Sequence, residues 1–103
     1  MHNLTRETLA IAQKRFETFG FQEDQIEKLL ISGRDDLEKE IGKLQHLLKE
    51  EKNNLSNINQ TLHALKGLLY NMGNNAAGDM MNELRDQLED AETIQKIKRL
   101  IEV

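Results

Sequence analysis

Apolar residues recur at intervals of three and four along most of the chain, which is the spacing of one face of an α-helix. The most regular run comprises Leu55, Ile58, Leu62, Leu65, Leu69 and Met72. No stretch shows the alternation of apolar and polar residues that is typical of a half-buried strand. The pattern therefore predicts an all-α protein.

Glycine, asparagine and short polar stretches indicate where the helices end. We predict helices over about 5–19, 22–31, 35–48 and 55–72, the first capped by Thr5, and two successive helices within 81–101. Gly20 followed by Phe21 is typical of a helix C-terminus, and we assign Ser32-Gly33 and Gly73 to helix ends as well. The polar segment 49–54 is predicted to be a turn, with its paired asparagines capping the next helix. These short amphipathic helices would bury their apolar faces in an antiparallel bundle.

The same pattern is also compatible with a second interpretation. Ten apolar residues between Leu37 and Met72 share one heptad frame, interrupted only by Glu51. Such a frame is also typical of a single long coiled-coil helix. The polar gap at 49–54 and the interior glycines Gly42 and Gly67, each costing about 1 kcal/mol in a helix, favour the hairpin.

The composition excludes several classes of function. The chain has 103 residues, no cysteine and no proline, which fits a single domain and excludes thiolate catalysis and cysteine-based metal centres. A net charge of −4 and only four aromatic residues argue against nucleic-acid binding. Apolar runs such as that at 29–31 are far too short to cross a membrane, and we expect a cytoplasmic protein. No residues have the spacing of a metal site, so neither a metal nor another cofactor is expected.

Among the three histidines, His63 stands out. On the predicted helix 55–72 it lies beside the apolar face rather than in it, so we expect it to face solvent. Gly67, four residues later, would leave one side of the imidazole open, because side chains at i and i+4 are neighbours on a helix. Lys66 places an ammonium group near the ring, Asn59 and Gln60 add uncharged polar groups, and no carboxylate occurs between 56 and 70. Imidazole has an ordinary pKa of about 6.5, so an exposed ring is mostly neutral near pH 7 and can act as a nucleophile toward phosphorus.

The segment His63-Ala64-Leu65-Lys66-Gly67, followed by Met72-Gly73, resembles the signature of histidine phosphotransfer (HPt) domains. The resemblance implies that residues 22–101 form an antiparallel four-helix bundle and that residues 1–20 are an N-terminal helical addition, within one domain spanning 1–103. It implies that His63 is the phosphoacceptor and that Lys66 stabilises the phosphate, with Gly67 giving clearance for a docking receiver domain. Asn59, Gln60 and Tyr70 are the other expected contacts. The implied partners are a sensor or hybrid histidine kinase and a response regulator receiver domain, which would supply the catalytic machinery, so the chain itself would be a phosphocarrier and not an enzyme.

Two residues depart from the family pattern. Leu68 is bulkier than the residue usual beside the glycine, and Arg85 stands where a carboxylate-bearing pair is commoner, so no carboxylate is assigned to orient the ring. The rival interpretation is a small acidic helical adaptor or chaperone that works by coiled-coil contacts, without phosphate chemistry. We expect a monomer.

Overall fold

The computed structural model describes all 103 residues and contains five helices and no strand. The helices are α1 (Asn3–Thr18), α2 (Glu23–Lys49), α3 (Leu55–Asn71), α4 (Asn75–Asp86) and α5 (Ala91–Leu100). The prediction of an all-α protein is confirmed, and so is the division of the last segment into two helices. None of the five helices combines the length and the apolar content that a membrane span requires.

The ends of α1 and α3 share one termination geometry. Gly20 has a φ of +82°, and the N–H of Phe21 donates to the carbonyl of Phe16 at 3.2 Å. The Phe16 and Phe21 rings meet edge to face at 5.8 Å between centroids, which adds the apolar contact of a Schellman motif. Gly73 repeats the backbone conformation after α3, with a φ of +89°. Both predicted helix ends are therefore confirmed.

The prediction that one helix ends at Ser32-Gly33 and another begins near Asp35 is wrong, because α2 runs through both positions. Its inward face continues in phase along Ile26, Leu30, Gly33, Leu37, Ile41, Leu44 and Leu48. At Gly33 the Met72 side chain lies so close that an added Cβ would overlap its Cε atom. The glycine therefore allows close packing inside the helix and does not end it.

Residues 50–54 form the connection between α2 and α3, as predicted. The Asn54 side chain accepts a hydrogen bond from the Asn57 N–H at 3.1 Å, which caps α3. The alternative of one coiled-coil helix from Leu37 to Met72 is wrong, because the chain reverses here and α3 packs back along α2.

Successive helices α1 to α4 pack side by side, and α5 returns to contact α2. Their apolar faces meet in one core of 18 buried residues. The core residues with no exposed surface are Ala12, Leu37, Ile41, Leu44, Ile58, Leu62, Leu65, Leu69, Met81, Ile97 and Ile101. Four of them belong to α3, so burial fixes the rotation of this helix and decides which residues it presents to solvent.

The N-terminus is tied to α2. The Nδ1 atom of His2 lies 2.7 Å from a carboxylate oxygen of Glu38, and its Nε2 atom lies 2.7 Å from the Gln45 side chain. Burial raises the pKa of the Glu38 carboxyl, but the hydrogen bonds to His2 outweigh this effect and leave that pKa below its usual range. Thr5 is fully buried within α1, so its predicted role as N-cap is wrong, and His2 occupies the cap position.

Asn74 has two roles at the start of α4. Its side-chain oxygen accepts from the Ala77 N–H at 3.2 Å, and its amide nitrogen donates to the Thr8 hydroxyl at 2.9 Å.

We expect Asn74→Ala to lower the free energy of unfolding by about 2 kcal/mol, because it removes a helix cap and a buried hydrogen bond. Asn54→Ala removes only an exposed cap and is expected to cost about 1 kcal/mol. Urea denaturation of both variants measures the difference in their free energies of unfolding. Equal losses of stability would show that the hydrogen bond from Asn74 to Thr8 does not stabilise the fold.

Candidate functional site

His63 lies in the middle of α3 with its side chain exposed. The two leucines on either side of it in the helix pattern, Leu62 and Leu65, have no exposed surface. Because residues on a helix are separated by about 100° of rotation, burying these leucines turns His63 outward. The predicted exposure of this histidine is confirmed.

Gly67 leaves the space beside His63 empty. A Cβ built at Gly67 would meet no atom within 4 Å, and the residue is exposed. No packing contact in the structure therefore requires glycine at this position, although glycine weakens a helix by up to about 1 kcal/mol relative to alanine. Gly42 on α2 is equally exposed and equally unobstructed, which makes it a natural control.

The other predicted contact residues divide into two groups around His63. Asn59, Lys66 and Tyr70 lie on the side of α3 that faces α4. Gln60 lies on the opposite side, in a shallow groove of about 420 Å³ between α2 and α3. At about 100° of rotation per residue, these four residues and Gly67 all lie within about 60° of His63 around the axis of α3, on one exposed face. We call the surface formed by Asn59, Gln60, His63, Lys66, Gly67 and Tyr70 the His63 face.

Arg85 on α4 reaches the His63 face, which the sequence did not predict. Its Nη1 atom lies 3.0 Å from the Nδ1 atom of His63, and its Nε–H donates to the side-chain oxygen of Asn59 at 2.9 Å. Arg85 forms no salt bridge, so no carboxylate neutralises its charge beside the ring. A separation of 22 residues across two helices carries no local sequence signal, because it depends on how α3 and α4 pack.

The charges around His63 are positive. Lys66 forms no salt bridge, and α3 contains neither aspartate nor glutamate. The nearby carboxylate of Asp79 accepts a hydrogen bond of 2.5 Å from the Tyr70 hydroxyl. That hydrogen bond raises the pKa of Tyr70, because it holds the proton on the phenol beside an anion. Arg85 therefore contacts the imidazole and Lys66 lies three residues after it, without a competing carboxylate on α3.

Leu68 does not obstruct this surface. It is half-buried and packs against the hydrophobic core. Five residues along a helix correspond to a rotation of about 140°, so Leu68 lies on the far side of α3 from His63. Its bulk is accommodated by the core.

The His63 face offers a nucleophile, two cations and open approach, which suits a group that carries negative charge. No three histidine, aspartate or glutamate side chains are arranged to hold a metal ion. Comparisons with protein-family models, curated proteins and solved structures find no match to this chain.

Proposed function

We propose that this chain is a histidine phosphotransfer protein that carries a phosphoryl group on His63 in a two-component phosphorelay. In this proposal residues 22–101 form the antiparallel four-helix bundle of the phosphotransfer family, and α1 is an addition to it. The proposal includes a cytoplasmic location, where a kinase and a receiver domain would be the partners. The observation that carries it is an exposed histidine at mid-helix, with a lysine that forms no salt bridge three residues later and an open glycine after it.

The proposed reaction transfers a phosphoryl group from an aspartate of the receiver domain to the His63 ring. The lone pair of the His63 Nε2 atom attacks the phosphorus of an aspartyl phosphate on the receiver domain. The N–P bond forms as the P–O bond to the aspartate breaks, and the carboxylate leaves with the electron pair. Phosphoryl transfer depends mainly on positioning and on neutralising the peripheral oxygens, and Lys66 supplies one of the cations this requires. The receiver domain supplies the rest of the catalytic machinery.

The open side of His63 gives the receiver domain its route of approach. The receiver must bring the phosphorus of its aspartyl phosphate within reach of Nε2, so backbone and small side chains are needed around the ring. Gly67 provides this clearance, and Gln60 and Tyr70 flank it with polar groups that can contact the partner.

The direct test is phosphorylation of the full chain. Receiver domains encoded in the same genome are loaded with phosphate from acetyl phosphate and mixed with this protein. We expect one of them to transfer a single phosphate that is labile in acid and stable in base, and mass spectrometry should place it on the peptide containing His63. Label on another residue, or no label from any receiver or kinase of that genome, would refute the proposal.

One surface favours a second candidate function, that of a helical adaptor. Phe19 and Leu29 are 62% and 41% exposed near the connected ends of α1 and α2. Phe21, 42% exposed, meets the Phe19 ring edge to face at 6.5 Å between centroids and lines the same shallow groove as Leu29. Exposed apolar clusters are typical of protein contact sites. Stable binding of a partner without any phosphate transfer would support the adaptor over the phosphocarrier.

A further inference from the structure

We propose that Arg85 holds His63 in the tautomer that cannot accept phosphate, and so acts as a brake on transfer. The inference rests on the proposed function of His63 and adds a positioning residue to it. It follows from the contact between the Arg85 Nη1 atom and the His63 Nδ1 atom at 3.0 Å.

The chemistry of the two groups fixes the direction of this hydrogen bond. A guanidinium group has only donors, so the Nδ1 atom of His63 must accept. A neutral imidazole carries one proton, and that proton must then lie on Nε2. The lone pair of the ring therefore points at Arg85, and the exposed nitrogen bears a hydrogen.

This tautomer opposes the transfer step. Attack on phosphorus requires a lone pair on Nε2, with the proton on Nδ1, where it remains when the N–P bond forms. The proton on Nδ1 would point at the guanidinium, which has no acceptor for it. Transfer therefore proceeds through the minor population in which Arg85 has moved off the ring, and the observed rate falls in proportion to that population.

The surroundings of Arg85 stabilise the restrained arrangement. The Nε–H bond to Asn59 at 2.9 Å anchors the guanidinium on α3, and the side chain is half-buried between the two helices. Because Asn59 lies one helical turn before His63, the two hydrogen bonds of Arg85 connect adjacent turns of α3. Asp86 and Glu89 line the groove that Asn59 and Arg85 share, without forming a salt bridge to Arg85.

The test compares Arg85→Glu and Arg85→Met with the unchanged protein. Glutamate offers only acceptors, so it should move the proton to Nδ1, whereas methionine removes the donor and adds no acceptor. In ¹⁵N-labelled protein, long-range ¹H–¹⁵N spectra of the imidazole report which nitrogen bears the proton. We expect protonated Nε2 in the unchanged protein and protonated Nδ1 in Arg85→Glu. Arg99→Gln on α5 is the control, since this exposed arginine should affect neither the tautomer nor the transfer rate.

Transfer is measured at saturating phosphorylated receiver, so that weaker docking of the more acidic variant is separated from the reaction itself. We expect the maximal rate to rise about tenfold in Arg85→Glu, which corresponds to removing one charge-assisted hydrogen bond. The maximal rate of Arg85→Met should lie between those of the unchanged protein and Arg85→Glu. Circular dichroism should confirm that all variants are folded.

Three results would overturn the brake. The first is a proton on Nδ1 of His63 in the unchanged protein. The second is a maximal transfer rate in Arg85→Glu that stays unchanged although the tautomer has altered. The third is slower transfer with a shorter-lived phosphohistidine in the Arg85 variants, which would make Arg85 a phosphate ligand. If the tautomer follows residue 85 but no variant accepts phosphate, the phosphotransfer function fails, while the assignment of Arg85 as the residue that sets the tautomer is upheld.

Discussion

Replacing His63 by glutamine is expected to abolish phosphate acceptance completely. Glutamine is polar and similar in reach, and the exposed position gives it no packing to disturb, but its amide nitrogen has no lone pair available for attack on phosphorus. The variant should therefore remain folded with an unchanged midpoint of urea denaturation. Phosphate incorporation from a loaded receiver domain, measured by intact mass, gives the result directly.

His46→Gln is the matched control for this experiment. His46 also lies on a long helix, α2, and its side chain is 83% exposed. Lys49 follows His46 at the spacing that separates Lys66 from His63, but Glu50, whose carboxylate lies 4.0 Å from the His46 ring, takes the place that Gly67 leaves open beside His63. We expect this variant to accept phosphate at the rate of the unchanged protein. Incorporation that persists in His63→Gln, or that disappears in His46→Gln, would assign the phosphate to another residue.

Gly67→Leu should reduce transfer by about 100-fold or more while leaving the protein at least as stable. The added side chain enters open space and replaces the least favourable non-proline helix residue, so the free energy of unfolding should rise by about 0.5–1 kcal/mol. The same side chain would occupy the clearing beside the imidazole and keep the receiver from bringing its phosphate to Nε2. A misplacement of about 1 Å is enough to cost a factor of this size.

Gly42→Leu separates the effect of leucine on helix stability from its effect on transfer. Gly42 is exposed and unobstructed within α2, so leucine there should give a similar gain in stability without affecting transfer. Urea denaturation and the transfer rate are measured on both variants. Normal transfer by Gly67→Leu would show that the clearing is not used, and equal inhibition by Gly42→Leu would point to a general effect on the fold.

Local patterns in the sequence determined most of the helical structure. The three-and-four spacing from Leu55 to Met72 sets both the length of α3 and its rotation, and the positive-φ glycines Gly20 and Gly73 end two helices. Because these features depend on neighbours within one or two turns, they can be read from the sequence. The exposure of His63 and the open space at Gly67 follow from the same periodicity.

Where the sequence prediction failed, the missing information was a contact between distant segments. Ser32-Gly33 resembles a helix end, and only the tertiary structure shows that α2 continues through it with the Met72 side chain packed over Gly33. No local sequence pattern relates His2 to Glu38 and Gln45, although both bind its ring.

The candidate site divides in the same way. The sequence alone determined that α3 presents His63, Lys66 and Gly67 on one face, because helical periodicity relates residues three and four apart. Only the tertiary structure decided that Arg85 bonds to the His63 ring, since this requires α4 to pack beside α3 at a particular rotation. The packing of α4 against α3 therefore determines the hydrogen bond to the imidazole, whereas the periodicity of α3 determines that the imidazole is exposed.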